Sequence, residues 1–141
     1  MQTNVQQGAI VVPSGADLSG KEDYLVELYN DSGVAKARLP NSNDTQPLYV
    51  LQDGGDASGD NVTLLPLEGG KNYRIETEGT ANPGDVFCLA DGEGVAADKG
   101  KIRSLPAVAG TYRGLGWFEE IAVDGQTALV RWSPQGNITV G

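Results

Sequence analysis

Glycine and proline interrupt this chain so often that a long helix has nowhere to form. There are 20 glycines and 7 prolines among 141 residues. Inside a helix each Gly costs about 1 kcal/mol and each Pro about 3 kcal/mol. Between the interruptions lie short runs rich in β-branched and aromatic residues: 10–12, 24–29, 48–51, 62–67, 72–77, 86–89, 101–105, 116–120, 127–132 and 138–140. Runs of this length, separated by turn residues, predict a mainly β chain, a compact antiparallel barrel or sandwich of short strands. Residues 24–29 fit two periods, with Tyr24, Leu25, Leu28 and Tyr29 at helical spacing and Leu25, Glu27 and Tyr29 at strand spacing.

An internal repeat resolves that segment. VELYNDSGVA, from Val26 to Ala35, aligns with FCLADGEGVA, from Phe87 to Ala96. After a five-residue insertion in the second copy, Leu39-Pro40 falls on Leu105-Pro106, Thr45 on Thr111, Gly59 on Gly125 and Gly70 on Gly136. Apolar positions match at Leu51/Trp117, Val62/Ala128 and Leu64/Val130. Each copy then reads as a strand, a turn through Gly-Val-Ala, a short strand, a Leu-Pro break, a strand, a glycine turn and a closing strand. The second copy's VFCLADGEGVAADKGKIRSL has the look of a hairpin, so residues 24–29 are expected to be a strand. The chain divides into an extended N-terminal arm (1–20), a first β-unit (21–70), a second β-unit (71–136) and a tail (137–141). One barrel and two subdomains both remain open.

The chemistry available is narrow. The sequence has no histidine, and its one cysteine, Cys88, cannot make an internal disulfide or a zinc cluster. Ser-His, Cys-His and zinc-His mechanisms are excluded. A net charge of −9 with scattered basic residues excludes a phosphate-tracking nucleic-acid binder. No apolar run reaches the roughly 20 residues of a membrane helix. No secretory signal is visible at the N-terminus, so folding in a reducing cytosol is expected.

Several local patterns have a functional and a plain reading. The loop Asp53-Gly-Gly-Asp56-Ala-Ser-Gly-Asp60-Asn61 is rich in oxygen ligands but lacks the alternating spacing and closing glutamate of an EF-hand. It is read as a solvated turn, and no metal or cofactor is expected. Asp85, Asp91/Glu93 and Glu119/Glu120 are the visible carboxylate candidates for hydrolysis. Adjacent glutamates on a strand point to opposite faces, which is wrong for joint work on one substrate. Gly92-Glu-Gly94 and Gly114-Leu-Gly116 lack the third glycine of a dinucleotide loop. The glycosylation matches at Asn43, Asn61 and Asn137 need a secretory pathway. Cys88, between Phe87 and Leu89, reads as a buried inert thiol. Trp117 and Trp132 read first as core, with an interface anchor as the second reading. Ile10, Val11 and Val12 form a short apolar strand suited to β-augmentation, and Ile138 to Val140 alternates in the same way. Both ends also suit simple closing strands of the same barrel.

GDVFCLADG, GKIRSLPAVAGTYRGLGWFEE and DGQTALVRWSP together resemble the tailed-bacteriophage head-decoration, or capsid cement, proteins. The resemblance spans residues 45–134 and runs through Gly84-Asp85-Val86, Asp91-Gly92, Gly100-Lys101-Ile102, Leu105-Pro106-Ala107, Gly116-Trp117-Phe118-Glu119 and Gly125, Ala128 and Val130. Tyr49-Val50-Leu51 departs from the family's Gly-Val-Ala, and Trp117-Phe118 is bulkier than its Ala-Leu. The resemblance implies a non-enzymatic virion protein made in the host cytoplasm. It would sit on the capsid exterior, bind the major capsid protein and bridge its subunits, as a homotrimer whose contacts can form on the shell alone. The interface residues expected are Val5, Ile10, Val11, Val12, Trp117, Trp132, Ile138 and Val140. On that expectation, deleting residues 1–12 abolishes capsid binding and leaves the domain folded. The alternative is a carbohydrate- or receptor-binding β-module of a tail or fibre, which an exposed Trp beside acids and amides would favour.

Overall fold

The computed structural model of the protein describes residues 8–42, 47, 49–92 and 94–141. Val5, Asn43, Thr45, Leu48 and Glu93 lie outside the described residues. Among the described residues, ten strands form two antiparallel sheets. The first holds β1 (Ile10–Pro13), β2 (Leu25–Asp31), β3 (Val34–Arg38), β4 (Tyr49–Asp53) and β5 (Asn61–Pro66), in the order β1-β5-β4-β2-β3. The second holds β6 (Asn72–Glu76), β7 (Val86–Leu89), β8 (Ile102–Ser104), β9 (Gly110–Phe118) and β10 (Thr127–Val140), in the order β6-β10-β9-β7-β8. A single 3₁₀ turn, Ala96–Asp98, lies between β7 and β8.

The two orders are the same order, five strands apart. The agreement extends to individual hydrogen bonds. Asn30 Oδ1 accepts from the Gly33 amide at 2.7 Å, and Asp91 Oδ1 accepts from the Gly94 amide at 2.9 Å. The Asp23 amide donates to the Leu51 carbonyl and the Gly84 amide to the Phe118 carbonyl, each at 2.8 Å. Ser14 and Thr77, the buried hydroxyl residues, each follow the first strand of a unit and bridge its third strand in parallel, at Ala37 and Ile102. Each bridge joins the two edge strands of its sheet; β1 also packs on β3, so the first sheet is the nearly closed barrel and the second the half-barrel.

Strand partners also correct the alignment by one step. Leu51 corresponds to the buried Phe118, not to Trp117, because a register shift between Leu51 and Asp53 displaces β4 against β5. The Val34/Val95 and Ala35/Ala96 matches do not hold either. Ala35 is in β3, whereas Ala96 opens the 3₁₀ turn of the longer second connection. The predicted hairpin is present, with Phe87, Cys88 and Leu89 paired to Ser104, Arg103 and Ile102. In the first unit the β2–β3 turn is tighter. Ser32 and Gly33 both have positive φ, 53° and 89°, the twist a two-residue hairpin loop requires.

The expected N-terminal arm differs in its described part. Ile10, Val11 and Val12 lie in β1 and pair with Leu64, Thr63 and Val62. Ile10 and Val12 pack on the first core with Val26, Leu51, Val62 and Leu64. Removing residues 1–12 therefore takes out a strand of the barrel, because alternate side chains of β1 are part of its filling.

Alternation along the middle strands joins the units. Leu25 and Val50 face a second, larger core with Ile75, Phe87, Phe118 and Trp132, while their neighbours Val26 and Leu51 face the first. Main-chain bonds reinforce the junction, from the Leu25 amide to the Gly100 carbonyl and from the Glu76 amide to the Asp23 carbonyl.

Candidate docking surface

The sequence offered carboxylates as its chemistry, and the structure binds them into the scaffold. Asp60 Oδ2 accepts from the amides of Asp56 and Ala57, and Asp53 Oδ1 accepts from Gly55. The acidic loop thus closes on itself through its own backbone. Glu119 pairs with Arg131, and Glu120 pairs with Arg74 and accepts from the Leu129 amide, each at 2.9 Å. The Leu129 amide is the main cause holding the Glu120 carboxyl below its ordinary range, opposed by partial desolvation and aided by Arg74. Asp85 accepts from the Asn82 amide and Asp91 from Gly94. Burial pushes the Cys88 thiol up, against the pull of Arg103. Among the described residues no group of three or more Cys, Asp or Glu is placed to hold a metal, and no helix is long and apolar enough to cross a membrane.

Trp117 and Trp132 do not form a pair. Trp132 is opposite Gly116 across the β9–β10 ladder, so Trp117, one residue on, points to the other face. Trp132 is 3% exposed and packs on Phe87, with ring centroids 6.3 Å apart, and Phe87 meets Phe118 edge-on at 5.7 Å. It offers a partner no surface. Trp117 is half-buried, with Arg131 opposite it and Val86 on its other side. The acid of that setting, Glu119 two residues on, is taken up by Arg131. Val11, 62% exposed, is the outward residue of β1.

Ile138 and Val140 belong to a feature the sequence did not announce. The runs 127–132 and 138–140 are one strand, β10, which passes Pro134 in a register shift between Trp132 and Gly136. Beyond that shift Gly136 to Val140 pair with Gly114 to Gly110. β6 pairs with β10 only from Thr127 to Arg131, and β7 with β9 only at Gly116 and Trp117. Residues 110–114 and 136–140 therefore form a two-stranded ribbon reaching past their neighbours. The first unit stops short of this, since its β4–β5 ladder ends at Tyr49 and Pro66.

The ribbon has two faces. Tyr112 opposes Ile138, and Gly110 opposes Val140; Thr111 with Thr139 and Arg113 with Asn137 alternate between them. Gly114 lets the ribbon lie flat, because a Cβ there would stand 2.7 Å from Ile138 Cδ1 and 3.3 Å from Val86 Cγ1. The Tyr112 hydroxyl donates to the Val108 carbonyl at 2.9 Å, and the Arg103 guanidinium stands 6.0 Å from the Tyr112 ring centroid. Val108 beside it is 71% exposed. Arg103, Val108 and Tyr112 escaped sequence reasoning. The signal that could have found them is an absence of acids, since residues 99–118 and 125–141 contain no Asp or Glu yet carry half of the ten basic residues.

No family model matches the chain, and no curated protein matches it. A solved structure does: the N base of head fiber gp8.5 from bacteriophage phi29, at 13% identity and a TM-score of 0.66. The two chains share a fold. The likeness covers 89% of this chain and 92% of that one, so it takes in both β-units.

Proposed function

We propose that this chain is a non-enzymatic structural protein of a phage virion, held on the capsid exterior, where it grips the major capsid protein and stabilises the shell by bridging subunits. The observation that carries the reading is the fold shared, over nearly the whole of both chains, with a base domain of a phage head fiber. Two features support it. Among the described hydrolysis candidates, Asp85, Asp91, Glu119 and Glu120 are committed to turns and ion pairs. The cement-family motifs lie on the hairpin turns and strands of the second unit. Many copies, each with a modest interface, would add up to a stable coat. A homotrimer on the shell suits that arrangement.

Cryo-electron microscopy of the parent particle tests the reading, with density for this fold expected outside the shell. Heads lacking the protein are expected to release their genome at lower temperature than complete heads. Density at the tail alone, or heads of unchanged thermal stability, would overturn the bridging role.

A second reading comes from the neighbour being a fiber base: a pedestal that carries a receptor- or carbohydrate-binding module outward. Density continuing beyond this domain at each site would favour it.

A further inference from the structure

We propose that the β9–β10 ribbon and the Arg103 side chain beside it are the surface by which this chain docks, and that the occupant is an acidic patch on a partner protein. This rests on the virion reading above and adds which end of the molecule faces the shell.

Charge is unevenly spread along the chain. Sixteen of the 19 acids precede residue 99, whereas the ribbon and both strands that form it lie in acid-free sequence with Arg103, Arg113 and Arg131. Arg131 is neutralised by Glu119. The Arg103 Nε is buried with no hydrogen-bond partner among the described residues, and its guanidinium stands beside the Tyr112 ring and the Cys88 thiol, with no ion pair to a carboxylate among the described residues. On a chain at −9 an acidic partner is repelled least where the acids are absent, and the ribbon lies in such a stretch. The face it would meet joins Arg and Tyr to exposed Val108 and half-buried Ile138 and Val140. Arg and Tyr around an apolar centre is the composition of protein–protein hot spots. A polyanion such as nucleic acid needs many clustered Lys and Arg, which this face lacks.

The test uses heads purified from the parent particle, stripped of this protein and re-incubated with full-length chain. The variants are Arg103→Glu, Val108→Asp and, as a control on the first sheet outside the expected interface, Val34→Asp, 48% exposed in β3, each first shown folded by its near-ultraviolet dichroism and melting temperature. Wild-type occupancy is expected to fall with added salt. Arg103→Glu and Val108→Asp should each weaken binding about tenfold or more, the scale of a lost hot-spot contact. Val34→Asp should bind as wild type does. Folded ribbon variants that bind normally, or a Val34→Asp chain that fails, would overturn the ribbon assignment and leave the shell role standing. Heparin or duplex DNA bound as tightly as stripped heads would overturn the choice of a protein partner. Wild type that does not bind stripped heads would overturn the shell role itself, and the docking inference with it.

Discussion

At the scale of single residues, backbone conformation decides more than side-chain chemistry. Gly116 has φ of 155°, and a Cβ there would lie 1.9 Å from the Arg131 carbonyl oxygen. That absent carbon is what lets Trp132 and Phe87 close over the same spot. Gly116→Ala is expected to lose at least about 2 kcal/mol in urea unfolding, the scale of core overpacking. Asp23 is the opposite case. It holds a positive φ of 70°, where the equivalent residue of the second unit is Gly84. Burial, aided by the charge of Glu22, raises its carboxyl above the ordinary value of 3.8. A raised carboxyl favours the folded state while protonated, and that contribution is lost as pH rises through the folded value. Asp23→Asn keeps the left-handed tolerance and cannot ionise. It should therefore raise Tm at pH 7 by a few degrees, with the gain shrinking as pH falls through the raised folded value and gone below the ordinary value of 3.8. Equal gains at both ends of that range would show that charge is not the cause.

At the scale of elements, the apolar runs near both ends of the chain belong to strands of the sheets rather than to appendages. The N-terminal run looks like a free arm because Pro13 and Gly15 cut it from the rest of the first unit. It is instead a barrel strand, held through Asn61 to Leu64. A chain lacking residues 1–13 is expected to lose the first barrel, seen as a drop of many degrees in Tm and new protease sites in 25–66. A truncated chain that melts like the whole would restore the arm. The tail looks like an appendage because Pro134 and Gly136 read as a stop, yet Pro134 is accommodated where the register slips. Local turn chemistry was legible: Asn30, Asp91 and their glycines mark both hairpins. Strand order and face parity were not. Which way Trp117 points depends on Gly116 lying opposite Trp132, a pairing set by residues far apart in the chain.

At the scale of the whole molecule, duplication was legible and its extent was not. Glycine turns preserve their spacing because few residues replace glycine at positive φ, as at Gly59 and Gly125. Core positions preserve only apolarity, which is why Leu51 slid onto Trp117 in the alignment when Phe118 is its counterpart. Leu25 and Val50 reach out of the first unit into the core of the second. The two units are therefore expected to unfold together, with calorimetric and van't Hoff enthalpies that agree. Two separated transitions would mean that the junction is weaker than its packing implies.

A chain built twice on one plan carries a set of worked alternatives for itself. Glycine at 84 is already a solution for the strained turn at Asp23, and Trp132 stands where Pro66 ends the shorter ladder. Exchanging such counterparts between the halves amounts to asking each copy what the other has learned to tolerate. Grafting the second half's extension onto the first would show whether reach, rather than fold, is what sets the halves apart.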